Sequence, residues 1–285
     1  MNYVNCNLCP RLCGADRTRG KTGFCKAPAA AVVSKTMLHR WEEPILSPNG
    51  KSGTIFFGGC NLGCVYCQNY AISRAPQGQI LDGPALRQEM ESLISQGAEN
   101  IDLVSPTPYL PTVLEALEMP LPVPVVYNTG GYERKEAIAA LAGKVDIYLP
   151  DLKYADTALA GSLSAATDYF PVATEAIREM VEQVGRPVFQ GEQLRKGVVI
   201  RHLILPGQIE NSLKVLDWIG DTFSPGQVLV SLMRQYTPTP GMTPPLDRPV
   251  TEDEYQAVLS WMYLNGIEGF TQEAAASDTI FIPDF

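Results

Sequence analysis

From Gly53 onward, strand-like and helix-like stretches alternate along the chain, and this alternation limits the fold more than any other feature. Runs rich in β-branched and aromatic residues fall at Thr54–Phe57, Ile101–Val104, Val123–Tyr127, Val145–Leu149, Val198–Leu205 and Val228–Met233. Helical stretches separate them, at about Pro84–Gln96, Tyr109–Leu117, Arg134–Leu141, Val172–Val184 and Glu210–Ile219. Six such units in a row predict an α/β fold whose parallel sheet curls with right-handed crossovers. Eight units would close a barrel, so six leave it open. A last helix is predicted from Thr251, where Thr251-x2-Glu254 makes a capping box ahead of Tyr255, Val258, Leu259 and Met262 on one face.

The first strand of the series leads into the chemistry. Thr54-Ile-Phe-Phe ends at Gly58-Gly59, and Cys60-x3-Cys64-x2-Cys67 follows. In a loop this spacing lets three thiolates converge on one iron–sulfur cluster. A cubane has four irons, so three cysteines leave one corner open to an outside ligand. Zinc is the competing reading, but three cysteines this close with no nearby histidine suit it poorly.

These residues, with Tyr66 just before the last cysteine, resemble the signature of the radical S-adenosylmethionine (SAM) superfamily. The resemblance implies a (β/α)6 partial TIM barrel and a [4Fe–4S] cluster on Cys60, Cys64 and Cys67, with SAM chelating the open iron. It also implies reductive cleavage of SAM to a 5′-deoxyadenosyl radical. The chain is most similar to a branch related to the pyruvate formate-lyase (glycyl radical enzyme) activating enzymes, marked by an N-terminal cysteine cluster and an ending like Phe281-Ile-Pro-Asp-Phe285.

Seven cysteines against two histidines, His39 and His202, exclude a histidine-rich metal site. No basic-then-apolar leader and no membrane-length run is present, so the chain is expected to be cytoplasmic and its cysteines metal ligands before disulfides. The four remaining cysteines come first, as Cys6-x2-Cys9-x3-Cys13-x11-Cys25, in a basic, glycine-punctuated segment with little apolar material. A unit that small is expected to need a metal. A four-thiolate zinc or mononuclear iron site and an auxiliary [4Fe–4S] cluster both suit it. The net charge of −9 argues against nucleic-acid and anionic-membrane partners.

Three parts follow from this: residues 1–50 as a metal-stabilised N-terminal segment and connector, 51–236 as the barrel core, and 237–285 as an extension. The extension opens with the proline-rich stretch after Tyr236, which either walls the barrel mouth or only links to the last helix. Glu42 and Glu43 read as solvated carboxylates.

The strand ends carry the candidate ligand contacts. The resemblance assigns SAM contacts to Ser105 and Thr107 after the second strand, and to Asn128 and Thr129 in Asn128-Thr-Gly-Gly131 after the third. Asp151 and Lys153 in Asp151-Leu-Lys153 match the end of the fourth strand in the activases. Arg201 lies in an otherwise apolar fifth strand and needs a carboxylate partner, either SAM or Asp151. His202 faces the other way and reads as structural. Tyr66 and Asn69 are candidates for adenine contact, and Arg234, Gln235 and Tyr236 for substrate contact.

The reaction so implied is anaerobic hydrogen abstraction from a protein or peptide, with a reductant protein such as a flavodoxin or ferredoxin. A small-molecule substrate is the alternative, and a non-catalytic iron–sulfur electron-transfer or metal-binding protein is the alternative of a different class.

Overall fold

The computed structural model describes residues 2–271; the Phe281–Phe285 ending lies outside the described residues. Residues 2–30 carry no regular element beyond a single 3-10 turn at Arg17–Arg19. The sheet then begins with β1 (Ala31–His39) and β2 (Ser52–Phe57), and α1 (Tyr70–Arg74), β3 (Gln79–Leu81) and α2 (Gly83–Ser95) follow. Next come β4 (Asn100–Val104), α3 (Leu110–Ala116), β5 (Val125–Thr129), α4 (Lys135–Ala139), β6 (Ile147–Pro150), α5 (Thr157–Ser164) and α6 (Tyr169–Val184). The chain continues through β7 (Val188–Gln190), β8 (Gln193–Leu203), α7 (Ile209–Thr222), β9 (Leu229–Met233), α8 (Glu252–Leu264) and β10 (Gly269–Thr271).

The fold is mixed α/β with a mostly parallel sheet, ordered β10-β9-β8-β6-β5-β4-β2-β1-β3, while β7 pairs with β8 off this path. All six strand runs read from the sequence are present and lie side by side as β2, β4, β5, β6, β8 and β9, parallel throughout. The sheet is wider than six. A seventh parallel strand, β10, extends one edge, and antiparallel β1 and β3 extend the other. The three-residue strands β3, β7 and β10 are too short to carry a period in sequence. The capping box at Thr251 forms as expected, both reciprocal bonds being present.

Strand alternation sorts the inner face of this sheet into layers. At its base Val126, Ile147, Leu149, Val199 and Leu229 form an apolar plug with Ile45 and Leu46. On the same faces, further toward the C-terminal ends, stand Asp102, Asn128, Asp151, Arg201 and Ser231. The register fixes their neighbours: Asp102 opposite Val126, Val104 opposite Asn128, and Arg201 opposite both Asp151 and Ser231. The outward faces bury Tyr127, Tyr148, Val198 and Val230 in the larger core shared with the helices.

Candidate active site

Above the polar layer lies a cavity of about 270 Å³ at the C-terminal strand ends. Cys60, Cys64 and Cys67 line it from the loop after β2, and Asn128, Asp151, Lys153 and Arg201 line it from β5, β6 and β8. Tyr66, Asn69, Ser105 and Thr129 line it too. Of the residues assigned to ligand or substrate contact, Thr107 and Arg234 lie outside this lining, Arg234 pairing with Glu252 at 2.9 Å and lying over the Tyr255 ring. Thr107 is buried behind the site, and its hydroxyl donates to Glu133.

The cysteine loop is held by its backbone. Gly63 N and Val65 N donate to Ser164 O and Leu163 O at the end of α5, at 3.1 and 2.9 Å. Ser164 Oγ donates to Cys64 Sγ at 2.9 Å, and Leu62 N donates to Cys60 Sγ at 3.4 Å. Gly130 is required by close approach: a Cβ there would stand 2.8 Å from Leu62 Cδ1 of the loop. Burial pushes the Cys60 thiol up to about 12, and the neighbouring Cys64 adds to the rise. A dry nest of thiols is poorly suited to bare thiolates and well suited to a cation that would neutralise them.

Opposite the loop stands a buried charge network. Arg201 Nε donates to Asp151 Oδ1 at 2.9 Å and its second terminal nitrogen to Asn128 Oδ1 at 2.6 Å, while Lys153 Nζ pairs with Asp151 Oδ2. Burial alone would raise the Asp151 carboxyl, but Arg201 and Lys153 outweigh it and hold the group below its ordinary value. Asn128 Nδ2 turns back to Asp102 Oδ2 at 3.3 Å. Burial drives the Asp102 carboxyl well above the usual range, and the adjacent Glu42 carboxylate adds to that.

Two expectations change here. Glu42 is not solvated: it lines the cavity and lies 3.7 Å from Arg201. Glu43 also turns inward, accepting from Ser231 Oγ at 2.7 Å, and burial raises its carboxyl. The two cationic side chains across the cavity draw in carboxylates that the local sequence gives no reason to bury. Asp102 was missed although it carries the signal that marked Arg201, a charge inside an apolar strand run. His202 is structural as expected. Its two ring nitrogens meet Leu152 O and Ser212 Oγ at 2.7 and 2.9 Å, and burial lowers it to about 4.

The proline-rich stretch reaches the cavity. Tyr236 and Thr237 join its lining, and Thr239 Oγ1 donates to Val65 O of the cysteine loop at 3.3 Å. Behind the same loop, Cys6, Cys9, Cys13 and Cys25 line one narrow hollow with Arg11, Arg17, Phe24 and Asn61. All seven cysteines are free. Among the described residues no three His, Cys, Asp or Glu side chains are drawn together as they stand to hold a metal ion. Among the described residues, too, no helix is long and apolar enough to cross a membrane.

The fold is thus a mostly parallel α/β sheet with a thiol-lined, charge-walled cavity at its strand ends. A family profile described as the radical SAM superfamily matches residues 54–219, and the chain belongs to that superfamily. It is 30% identical over 269 residues to the uncharacterized protein MJ0674 of Methanocaldococcus jannaschii, a match spanning 90% of this chain and 74% of the relative. Among solved structures it is similar to a radical SAM methyltransferase from Sphaerobacter thermophilus, with TM-score 0.54 and 16% identity over 78% of this chain and 66% of that one. It is also similar to Streptococcus suis SuiB bound to S-adenosylmethionine, with TM-score 0.50 and 13% identity over 75% of this chain and 48% of that one. At these identities the likeness is one of fold. The chain spans about two thirds of the first structure and about half of the second. Superfamily membership implies a [4Fe–4S] cluster and SAM, and the three thiols, with the Arg201 and Lys153 donors opposite them, fit that pair.

Proposed function

We propose that this chain is an enzyme that cleaves SAM reductively and abstracts hydrogen from a protein or peptide, within a (β/α)6 partial barrel in the cytoplasm. The observation that carries the reading is the convergence of Cys60, Cys64 and Cys67 on one cavity with Asn128, Asp151, Lys153 and Arg201. When bound, the cluster and SAM supply one-electron cleavage of a carbon–sulfur bond and the carbon radical that takes hydrogen from substrate. The remaining work belongs to the chain. Arg201 and Lys153, fixed by Asp151, present cationic donors to the SAM carboxylate. Asn128 orients the outer fork of Arg201. Tyr66 closes the cavity beside the thiols, and Tyr236 packs against it with ring centroids 6.0 Å apart. Excluding water there protects a reactive intermediate.

A second cavity of about 930 Å³ adjoins the first and shares Trp41, Glu42, Arg201, Met233 and Gln235 with it. Its volume is within the range of small-molecule pockets, so the peptide or protein substrate, such as a loop of a glycyl radical enzyme, is proposed on the likeness to the activating enzymes alone. The Cys6, Cys9, Cys13 and Cys25 group is proposed as a second metal site, zinc or iron–sulfur. The reductant is a flavodoxin or ferredoxin.

The test is anaerobic reconstitution with iron and sulfide, then reduction with dithionite in the presence of SAM. The expected product is 5′-deoxyadenosine, lost to background in Cys64→Ala. No 5′-deoxyadenosine from a fully loaded wild-type chain would overturn the reading and leave a non-catalytic iron–sulfur protein.

A further inference from the structure

The function proposed above leaves the N-terminal cysteines without a task. Their surroundings differ sharply between the inner and outer sides. On the inner side the segment touches the cysteine loop with no room to spare. Gly59, the residue before Cys60, has φ +85°, and a Cβ there would lie 2.7 Å from Cys25 O. A Cβ on Gly63, between Cys60 and Cys64, would lie 3.1 Å from the Phe24 ring. Asn61 lines the N-terminal hollow, while Cys60 beside it lines the active-site cavity. Arg11 clamps the two together, donating to Asn61 O at 2.9 Å and to Ala165 O at 2.5 Å. The loop that carries Cys60 and Cys64 therefore packs directly against the segment that carries Cys6, Cys9, Cys13 and Cys25.

On the outer side Cys13 is exposed, unlike Cys6, Cys9 and Cys25. Its chain neighbour Leu12 is 59% exposed. Arg19, Lys21 and Lys26 are exposed as well. Residues 2–30 hold five basic side chains (Arg11, Arg17, Arg19, Lys21, Lys26) against the single acid Asp16, in a chain of net charge −9. An exposed thiol on the basic segment of an otherwise acidic protein suits docking of an acidic partner.

We propose that Cys6, Cys9, Cys13 and Cys25 hold an iron–sulfur centre that takes one electron from an acidic carrier docked at Cys13 and passes it to the Cys60/Cys64/Cys67 site. The inference rests on the SAM-cleaving reading and extends it to how the electron arrives. The balance is one electron throughout. The carrier is oxidised, the N-terminal centre is reduced and then reoxidised, no bond changes in the relay, and the electron is consumed in breaking the carbon–sulfur bond. A short path matters because electron transfer through protein weakens steeply with distance, and the loop from Gly59 to Gly63 packs against Phe24 and Cys25.

Two experiments test this. The first loads Cys60→Ala/Cys64→Ala/Cys67→Ala with iron and sulfide and measures metal content and the electron paramagnetic resonance of the reduced chain. Iron with sulfide and a reduced-cluster signal is expected; zinc, or no bound iron, overturns the proposal. The second compares Arg19→Glu/Lys21→Glu with the wild type using two reductants. With dithionite, which needs no docking, 5′-deoxyadenosine formation should be unchanged. With reduced flavodoxin at low ionic strength it should fall about tenfold, and the deficit should shrink in salt. Equal rates with flavodoxin, or an equal loss with both reductants, overturn the relay. Absence of product from the wild type with dithionite would instead overturn the SAM-cleaving reading, while the iron content of the triple variant still decides what the N-terminal cysteines hold.

Discussion

The two groups of cysteines lie back to back, yet the chain positions them by opposite means. Cys60, Cys64 and Cys67 follow directly from β2, and the sheet sets their place; the loop then pairs its amides with the end of α5. Cys6, Cys9, Cys13 and Cys25 sit in a segment with one 3-10 turn, whose backbone bonds are all local and whose ties to the rest of the fold run through side chains. Chief among these is Arg17, only 2% exposed, whose guanidinium donates to Pro28 O and to Pro108 O, the latter at 2.6 Å. It also lies over the rings of Tyr3 and Tyr109, at 4.5 and 5.5 Å. A site built on a strand end inherits the rigidity of the sheet, whereas a site built on coil must bring its own fasteners.

The comparison can be broken most forcefully at Arg17. Arg17→Ala removes a charged donor from buried carbonyls and should cost the N-terminal segment about 3 kcal/mol. Limited proteolysis before residue 30 should speed up, while SAM binding at the other site holds. Equal losses at both sites would show that the strand-end site depends on the coil for its shape.

Next in size comes Arg201. Arg201→Lys keeps the charge but loses the fork that reaches both Asp151 and Asn128. SAM affinity by calorimetry should weaken roughly tenfold, about 1.4 kcal/mol, with little change in the N-terminal segment's protease resistance. Unchanged affinity would remove Arg201 from the ligand wall.

The smallest effect concerns the boundary between the two regions, where Glu133 is buried. Burial raises its carboxyl to about 7, against the relief given by the Thr107 and Thr129 hydroxyls. Because the folded value lies above the unfolded one, Glu133 contributes most below about pH 4.5, and that contribution is lost as pH rises toward 7. Its Oε2 and the Tyr127 hydroxyl are both buried without a hydrogen-bond partner. Glu133→Gln should therefore melt higher than wild type at pH 8, by about 1 kcal/mol in stability, and show no gain at pH 4.5. A gain of equal size at both pH values would mean that packing, not charge, is relieved.

Much of this was legible before any coordinates. The strand runs announce themselves because parallel strands buried on both faces read as continuous β-branched stretches. The cysteine loop follows from its spacing, Asp151 and Lys153 from their likeness to a strand end of the activases, and Arg201 from its place inside an apolar strand run. What escaped notice is what depends on meetings across the sheet. Glu42 and Glu43 look like ordinary surface acids until the register brings Arg201 to face them. Asp102 was hidden by attention to strand ends, though its place inside Ile101–Val104 carries the same message as Arg201. Strands β3, β7 and β10 owe their existence to a neighbour's unpaired edge, which no local pattern records.

Tyr66 and Tyr154 share a hydrogen bond of 2.5 Å, Tyr154 and Ser164 one of 2.7 Å, and Ser164 donates to Cys64 Sγ. Each hydroxyl in this row has one hydrogen to give, so the sulfur at its end decides which way all of them point. A thiolate accepts and aligns the three O–H dipoles toward itself, and aligned hydrogen bonds strengthen one another. A protonated thiol can give its hydrogen to Ser164 and let the row run the other way. The protonation of one cysteine is thus written into the orientation of a tyrosine hydroxyl three links away, where the O–H stretch of Tyr66 could be read as a record of whether Cys64 is engaged.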